Sequence, residues 1–267
     1  LKTIGTRKKD DGARSGVIIA DLHVGSYAGL CPPGKFSKDD KKLRRSQEET
    51  YHHYQRFAKE NRGVDILLVN GDCIEGKGSR NGGIELWTSD LLEQTRAAAQ
   101  LIRMFNAKTI RMSFGTNYHV AAGSGERLEQ IIANDLSGTI HNRHFMNIGG
   151  VVVDMRHKVG SSSIPHGRHT SISKEAVWCA LMHERGIFPK VDVIIRSHTH
   201  YYIANEDVRC VCINTPCLQL PRTNYGGCEC SGDINWGIIK FYAEGGNFSW
   251  SKDIVDLSTA KVRVERL

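Results

Sequence analysis

No apolar run in these 267 residues approaches the ~20 needed for a membrane-spanning helix, so no membrane partner is expected. The polar, basic residues 1–14 lack the apolar core of a signal peptide, and nothing argues for secretion. Internal repeats and low-complexity segments are absent, which excludes a repeat array. There is no helix-turn-helix or zinc-finger pattern, which argues against a non-catalytic DNA-binding module. The cysteine pairs also lack the wider C-x₂₋₄-C spacing usual for structural zinc, because Cys210/Cys212 and Cys228/Cys230 are each C-x-C. These cysteines, with Cys217, read as buried free thiols in a reducing cytosol. A second metal site or a disulfide near Cys228 and Cys230 is the alternative. A cytoplasmic location is therefore expected.

What is present fits one large α/β domain. Hydrophobic residues make up 40% of the chain, as in a globular protein. The expected organisation is a polar basic segment over 1–15 and a single domain over 16–267, with a polar insertion at about 26–45. The formal net charge of +7 favours polyanionic partners, DNA or RNA among them. A solvated surface explains the charge equally well, since Asp10, Asp11, Asp39 and Asp40 dilute the basic clusters.

Eight segments read as strands, at 17–20, 64–69, 109–114, 151–159, 191–195, 208–213, 236–242 and 248–255. Helices are expected over about 46–59, opened by a capping box at Ser46 and Glu49, and over 93–104, with capping candidates at 88–90. Two more are expected over 126–136 and over 173–185, the last stopped by Gly186. Strand and helix alternate early and strands dominate late, which suggests two packed sheets with helices outside.

Five of these strands end in or contain residues that bind metals. They carry Asp21 and His23, Asp72, Asn117 and His119, His157, and His198 and His200. Ligands in α/β sheets gather beyond the carboxyl ends of the strands, so the five ends converge. Two divalent ions ~3.5–4 Å apart need a bridging carboxylate and terminal N or O ligands. Asp72 is the natural bridge, with Asp21, His23 and His200 completing one ion and Asn117, His157 and His198 the other. On extended backbone the two side chains of D-x-H or H-x-H share a face, so both reach the cluster. The mixed N/O set suits transition metals, with manganese first and iron, zinc or nickel as alternatives. A hydroxide held between the ions would attack phosphorus in line.

In these blocks the sequence resembles the calcineurin-like metallophosphoesterase superfamily, whose pattern runs D-x-H, G-D, G-N-H, an isolated His and G-H-x-H. The resemblance covers about residues 16–200. It implies a four-layer α/β/β/α sandwich of two mixed sheets flanked by helices, and a dinuclear site. Two blocks depart from the pattern: G-N-H is stretched into Gly115-Thr-Asn117-Tyr-His119, and Ser197 stands where the family has Gly. The same resemblance implies that His119 is the phosphate-contacting acid and, as in some relatives, that Glu75 orients it; for Glu75 an ordinary loop acid is the competing account. The G-T-x-x-H arrangement, followed by a Gly-rich turn and a Glu-bearing helix at 123–130, is similar to phosphoesterases of phages and prophages. This makes a nucleic-acid phosphodiester a more plausible substrate than a phosphoprotein.

His166 and Arg168 lie in an expected loop and could touch substrate phosphate, and Arg222 and Tyr225 in a later loop could clamp phosphate and stack on a base. For each of the four, an ordinary surface loop is the competing account. The leading expectation is a two-metal phosphodiesterase or nuclease. The alternatives are a phosphomonoesterase or protein phosphatase, and a non-catalytic scaffold that keeps the fold. The sequence leaves the oligomeric state open.

Overall fold

The computed structural model describes residues 12–78, 82–117, 119, 125–162, 164–221 and 234–257. Arg222, Tyr225, Cys228 and Cys230 lie outside the described residues, as does most of the basic N-terminal segment.

The first sheet is built from β1 (Arg14–Ile19), β2 (Ile66–Asn70), β3 (Thr109–Ser113), β4 (Thr139–His141), β10 (Trp236–Glu244) and β11 (Asn247–Val255). Their order is β11-β10-β1-β2-β3-β4. The second sheet has the order β5-β6-β7-β9-β8, from β5 (His144–Ile148), β6 (Val151–Met155), β7 (Val193–Arg196), β8 (Ile203–Glu206) and β9 (Val211–Asn214). Both are mixed. β1 runs parallel to β2 and antiparallel to β10, and β7 runs parallel to β6 and β9 while β8 returns antiparallel.

Three apolar layers hold the stack. Helices α1 (Lys41–Glu60), α2 (Leu91–Arg103) and α3 (Gly125–Asp135) bury Tyr54, Phe57, Ala98, Ile102 and Ile132 against Val17, Leu67 and Val69 on one face of the first sheet. The opposite face turns Ile18, Leu68 and Ile239 onto Val153, Val193 and Ile195 of the second sheet. The outer face of that sheet packs Ile194 and Cys212 against Ile172, Ala176 and Cys179 of α4 (Gly167–Glu184). Strands of the two sheets are apolar on both faces, as expected of strands buried between layers. The fold is thus the expected four-layer α/β/β/α sandwich.

Several boundaries move. β1 begins at Arg14, so the last two residues of the expected 1–15 segment are part of the sheet, where Ser15 donates twice to Asp65 (2.9 and 2.8 Å). Helix α1 begins at Lys41, because the Asp40 carboxylate already accepts from the amides of Lys42 and Leu43. Ser46 is therefore inside the helix, its hydroxyl donating back to the Lys42 carbonyl. The insertion at 26–45 is not simply a polar surface loop: Ser26, Ala28, Leu30, Cys31 and Ser37 are buried in it. Helix α4 begins six residues before its expected start at 173, so His166 and Arg168 sit at its N-terminus rather than in a loop. Trp236 is core, stacked on Phe57, whereas Trp178 is exposed on the outer face of α4 beside Val177 and Leu181.

A buried ion cluster fixes the second sheet to α4. Asp154 on β6 accepts from Arg143 (2.7 and 2.6 Å) and Arg196 (2.6 Å), and Arg196 also reaches Glu175 of α4 (2.9 Å). Both Asp154 and Arg196 are fully buried. Replacing Asp154 with Ala removes the fully buried partner of Arg196 and leaves it with Glu175, and the expected cost is about 3–5 kcal/mol in urea denaturation at neutral pH. Burial alone would raise the Asp154 carboxyl, but Arg143 and Arg196 hold it below its ordinary value. Its stabilising contribution is therefore fully present above the unfolded value of ~4 and is lost as pH falls through the lower folded value. The gap between wild type and Asp154→Ala should narrow in that acidic window.

Candidate metal centre

The site lies where the chain leaves β1, β2, β3, β6 and β7. The two sheets are tied there by Asn70 at the end of β2. Its amide donates to the Ser197 hydroxyl beyond β7 (2.7 Å), and its oxygen accepts from Ser113 on β3 (2.5 Å). Ser197 also pairs with Thr215 (2.7 Å), so the residue that departs from the family pattern has its own work in joining the layers.

Past the strand ends the backbone is not extended. Among the described residues, seven non-glycine residues have positive φ, and five of them are Asp21, His23, Asp72, His198 and His200. This corrects the extended geometry expected for D-x-H and H-x-H: the side chains reach the cluster from left-handed turns. Each such residue costs on the order of 1–3 kcal/mol, and strain of this kind gathers at functional sites. The turns are held by main-chain bonds, from the Asp21 amide to the Gly71 carbonyl (3.0 Å) and from the His23 amide to the Asp72 carbonyl (3.0 Å). Gly71, at φ +80°, has no room for a side chain, since a Cβ would stand 2.5 Å from His157 Nδ1.

Three overlapping groups of donor atoms result, each within 4.8 Å: Asp21, His23 and His200; Asp72, His157 and His198; and His23, Asp72 and His119. His23 Nε2 is 3.3 Å from His200 Nε2, and His200 Nε2 is 3.2 Å from Asp21 Oδ1. His157 Nε2 is 3.0 Å from Asp72 Oδ2 and 3.9 Å from Asp21 Oδ1. All of these except His119 and His198 are essentially buried.

The outer nitrogens are committed elsewhere, which fixes the tautomers. His157 Nδ1 donates to the Asn70 carbonyl (2.6 Å), and His23 Nδ1 meets Glu75 Oε2 (2.8 Å). Each ring then presents Nε2 to the cluster, the arrangement found in ligating histidines. Asp21 Oδ1 and His157 Nε2 are buried without a hydrogen bond of good geometry to any described residue. Opposed ring nitrogens and unsatisfied buried acceptors are what a bound cation resolves, so the residues fit a divalent metal centre.

Glu75 touches both rings it could serve, lying 2.8 Å from His23 and 3.5 Å from His119 Nδ1. Burial would raise its carboxyl, but hydrogen bonds from His119 and His23 bring it down to about 2. Burial likewise works against charge on His119, yet Asp72 and Glu75 overcome it and push the ring up to about 9. His119 Nε2 faces Asp72 Oδ2 at 3.8 Å.

The stretched third block differs from its expectation. Asn117 is exposed and its amide makes no hydrogen bond to any described residue. Thr116 takes the place against Asp72 instead: its amide donates to Oδ1 (2.6 Å), and its hydroxyl is 3.2 Å from both carboxylate oxygens. The block carries two extra residues between Gly115 and His119, Thr116 and Tyr118, and Asn117 lies turned outward. Of the proposed substrate contacts, His166 is exposed, while Arg168 is buried with its guanidinium 4.5 Å from the Tyr201 ring centroid, next to His200. Cys210 and Cys212 share a face, 3.8 Å apart at sulfur, and both are free thiols. Sequence reasoning missed Thr116, Asn70 and Glu129; a polar residue on the apolar face of α3 was the available signal for the last.

No protein-family model matches the sequence, and no curated protein matches it. Solved structures similar to the chain include a Vps29 single mutant from Entamoeba histolytica, at 10% identity and TM-score 0.44, covering 91% of this chain and 99% of that one. A novel archaeal phosphodiesterase aligns at 13% identity and TM-score 0.45, over 89% of this chain and 99% of that one. A predicted phosphoesterase from Streptococcus pneumoniae TIGR4 aligns at 12% identity and TM-score 0.36, over 91% and 99%. In its four layers and in the order of its site blocks, the chain is similar to the calcineurin-like metallophosphoesterases.

Proposed function

We propose that this chain is a metal-dependent phosphoesterase that acts on phosphodiesters. The observation that carries the reading is the convergence of Asp21, His23, Asp72, His157, His198 and His200, five of them at positive φ, into overlapping groups whose donor atoms lie within 4.8 Å of one another. Two divalent transition-metal ions, manganese first among them, would supply there an activated water and neutralise charge on the phosphoryl oxygens. Asp21, His23 and His200 would hold one ion, and His157 and His198 the other, with Asp72 available to both. Thr116, or Asn117 if it turned inward, would complete the second set. His119, whose Nδ1 faces Glu75 at 3.5 Å, contacts the phosphoryl group and protonates the leaving oxygen. Glu75 fixes the orientation of that ring. His166 and Arg168, with Arg222 and Tyr225, are candidates for holding the rest of the substrate. A polynucleotide diester is favoured by the net charge of +7.

The test is turnover of bis-p-nitrophenyl phosphate. Manganese-loaded protein should hydrolyse it, chelation should abolish the activity, and added manganese should restore it. No turnover with any divalent metal would sink the proposal, and faster hydrolysis of p-nitrophenyl phosphate would convert it to a phosphomonoesterase.

A further inference from the structure

Among its described side chains, helix α3 carries one charged group, Glu129, into the core. Glu129 is 1% exposed, on the same helix that buries Leu128, Ile132 and Ala133. A buried carboxylate costs several kcal/mol of desolvation unless it is well paired. Its pairing is with main chain from two different site loops. Oε1 accepts the Cys73 amide (3.0 Å), and Oε2 accepts the Gly115 amide (2.8 Å).

These bonds close a ring. Cys73 follows Asp72, Gly115 precedes Thr116, and the Thr116 amide donates to Asp72 Oδ1 (2.6 Å). The approach is tight: a Cβ on Gly115 would stand 2.1 Å from Asp72 Oδ1 and 2.4 Å from the Asp72 amide. Asp72 is therefore held from both sides by segments that Glu129 grips. We infer that Glu129 is a positioning residue for the metal centre, acting through the amides of Cys73 and Gly115 to fix the Asp72 carboxylate and Thr116.

Both oxygens accept, so a glutamine cannot substitute. It would keep one acceptor and turn an NH₂ group against the other amide. Aspartate keeps the charge but is one methylene too short to reach both amides from the same backbone. Outer partners of this kind change metal affinity by about 10–100-fold.

The inference rests on the metal-centre reading, and the experiment separates the two. Manganese affinity of the metal-free full chain is measured by calorimetry for wild type, Glu129→Gln, Glu129→Asp and Phe57→Leu. Phe57 is a fully buried core residue of α1, stacked on Trp236, and serves as the stability control. The expected result is about 10–100-fold weaker manganese binding in both Glu129 variants, with Phe57→Leu lowering the melting temperature but leaving the affinity unchanged. If wild type binds and the Glu129 variants bind equally well, the inference is overturned while the metal centre stands. If wild type takes up no manganese, the metal centre itself is overturned. If Phe57→Leu weakens binding as much, or if neither Glu129 variant yields folded protein, Glu129 is a residue of general stability and the inference fails.

Discussion

Asp72→Asn should lower kcat for bis-p-nitrophenyl phosphate by on the order of 10³-fold or more, equivalent to ~4 kcal/mol of barrier. It should also reduce the manganese bound per chain. Asparagine keeps an oxygen for the Thr116 amide, so the loop retains its 2.6 Å bond and the fold should be preserved. The second oxygen becomes an NH₂ facing His157 Nε2, at the present 3.0 Å separation. A group that should share lone pairs with two cations then offers protons to one of them. Metal content by mass spectrometry and kcat should fall together. Retention of full activity by a folded, metal-poor variant would remove Asp72 from the chemistry.

His119→Gln should behave differently. Manganese content should stay near wild type, because this ring is not among the ligands proposed for either ion, although its donor atom lies within 4.8 Å of those of His23 and Asp72. The loss in kcat/KM should be about 10²–10⁴-fold, the range for a general acid, and should depend on the leaving group. It should be greatest for a dinucleotide, whose alkoxide leaves poorly without a proton. It should be smallest for bis-p-nitrophenyl phosphate, whose nitrophenolate leaves unaided. An equal loss on both substrates would make His119 a phosphate-binding residue and not the acid. No loss on either would exclude it from the site's work.

Much of this centre could be read from the sequence. Asp21, His23, Asp72, His157, His198 and His200 were legible because chain order and strand ends are enough to make them converge. The cap of α2 at Asp90 was legible for a local reason, since its carboxylate accepts from Leu92 and Glu93. What failed to show was set by tertiary contacts. Helix α1 starts at Lys41, capped by Asp40, and its first turn is polar and solvated, so the apolar period begins late and draws attention to Ser46. Helix α4 extends back to Gly167 because Arg168 and Ile172 pack inward, which weak helix formers in that turn do not announce. The short strand β4 gains its pairing from β3 on the far side of α3, and β5 and β8 are sheet edges held by the strands that follow them, β6 and β9, rather than by their own pattern. Thr116 stands against Asp72 where Asn117 was expected because the block is two residues longer than G-N-H, and spacing alone does not say which residue turns inward.

The most direct test of the account is a crystal structure of manganese-soaked protein with anomalous differences collected at the manganese edge. The account predicts two peaks ~3.5–4 Å apart, one against Asp21, His23 and His200 and the other against His157 and His198, with Asp72 between them. Absence of peaks at these residues, or manganese bound only elsewhere, would contradict it.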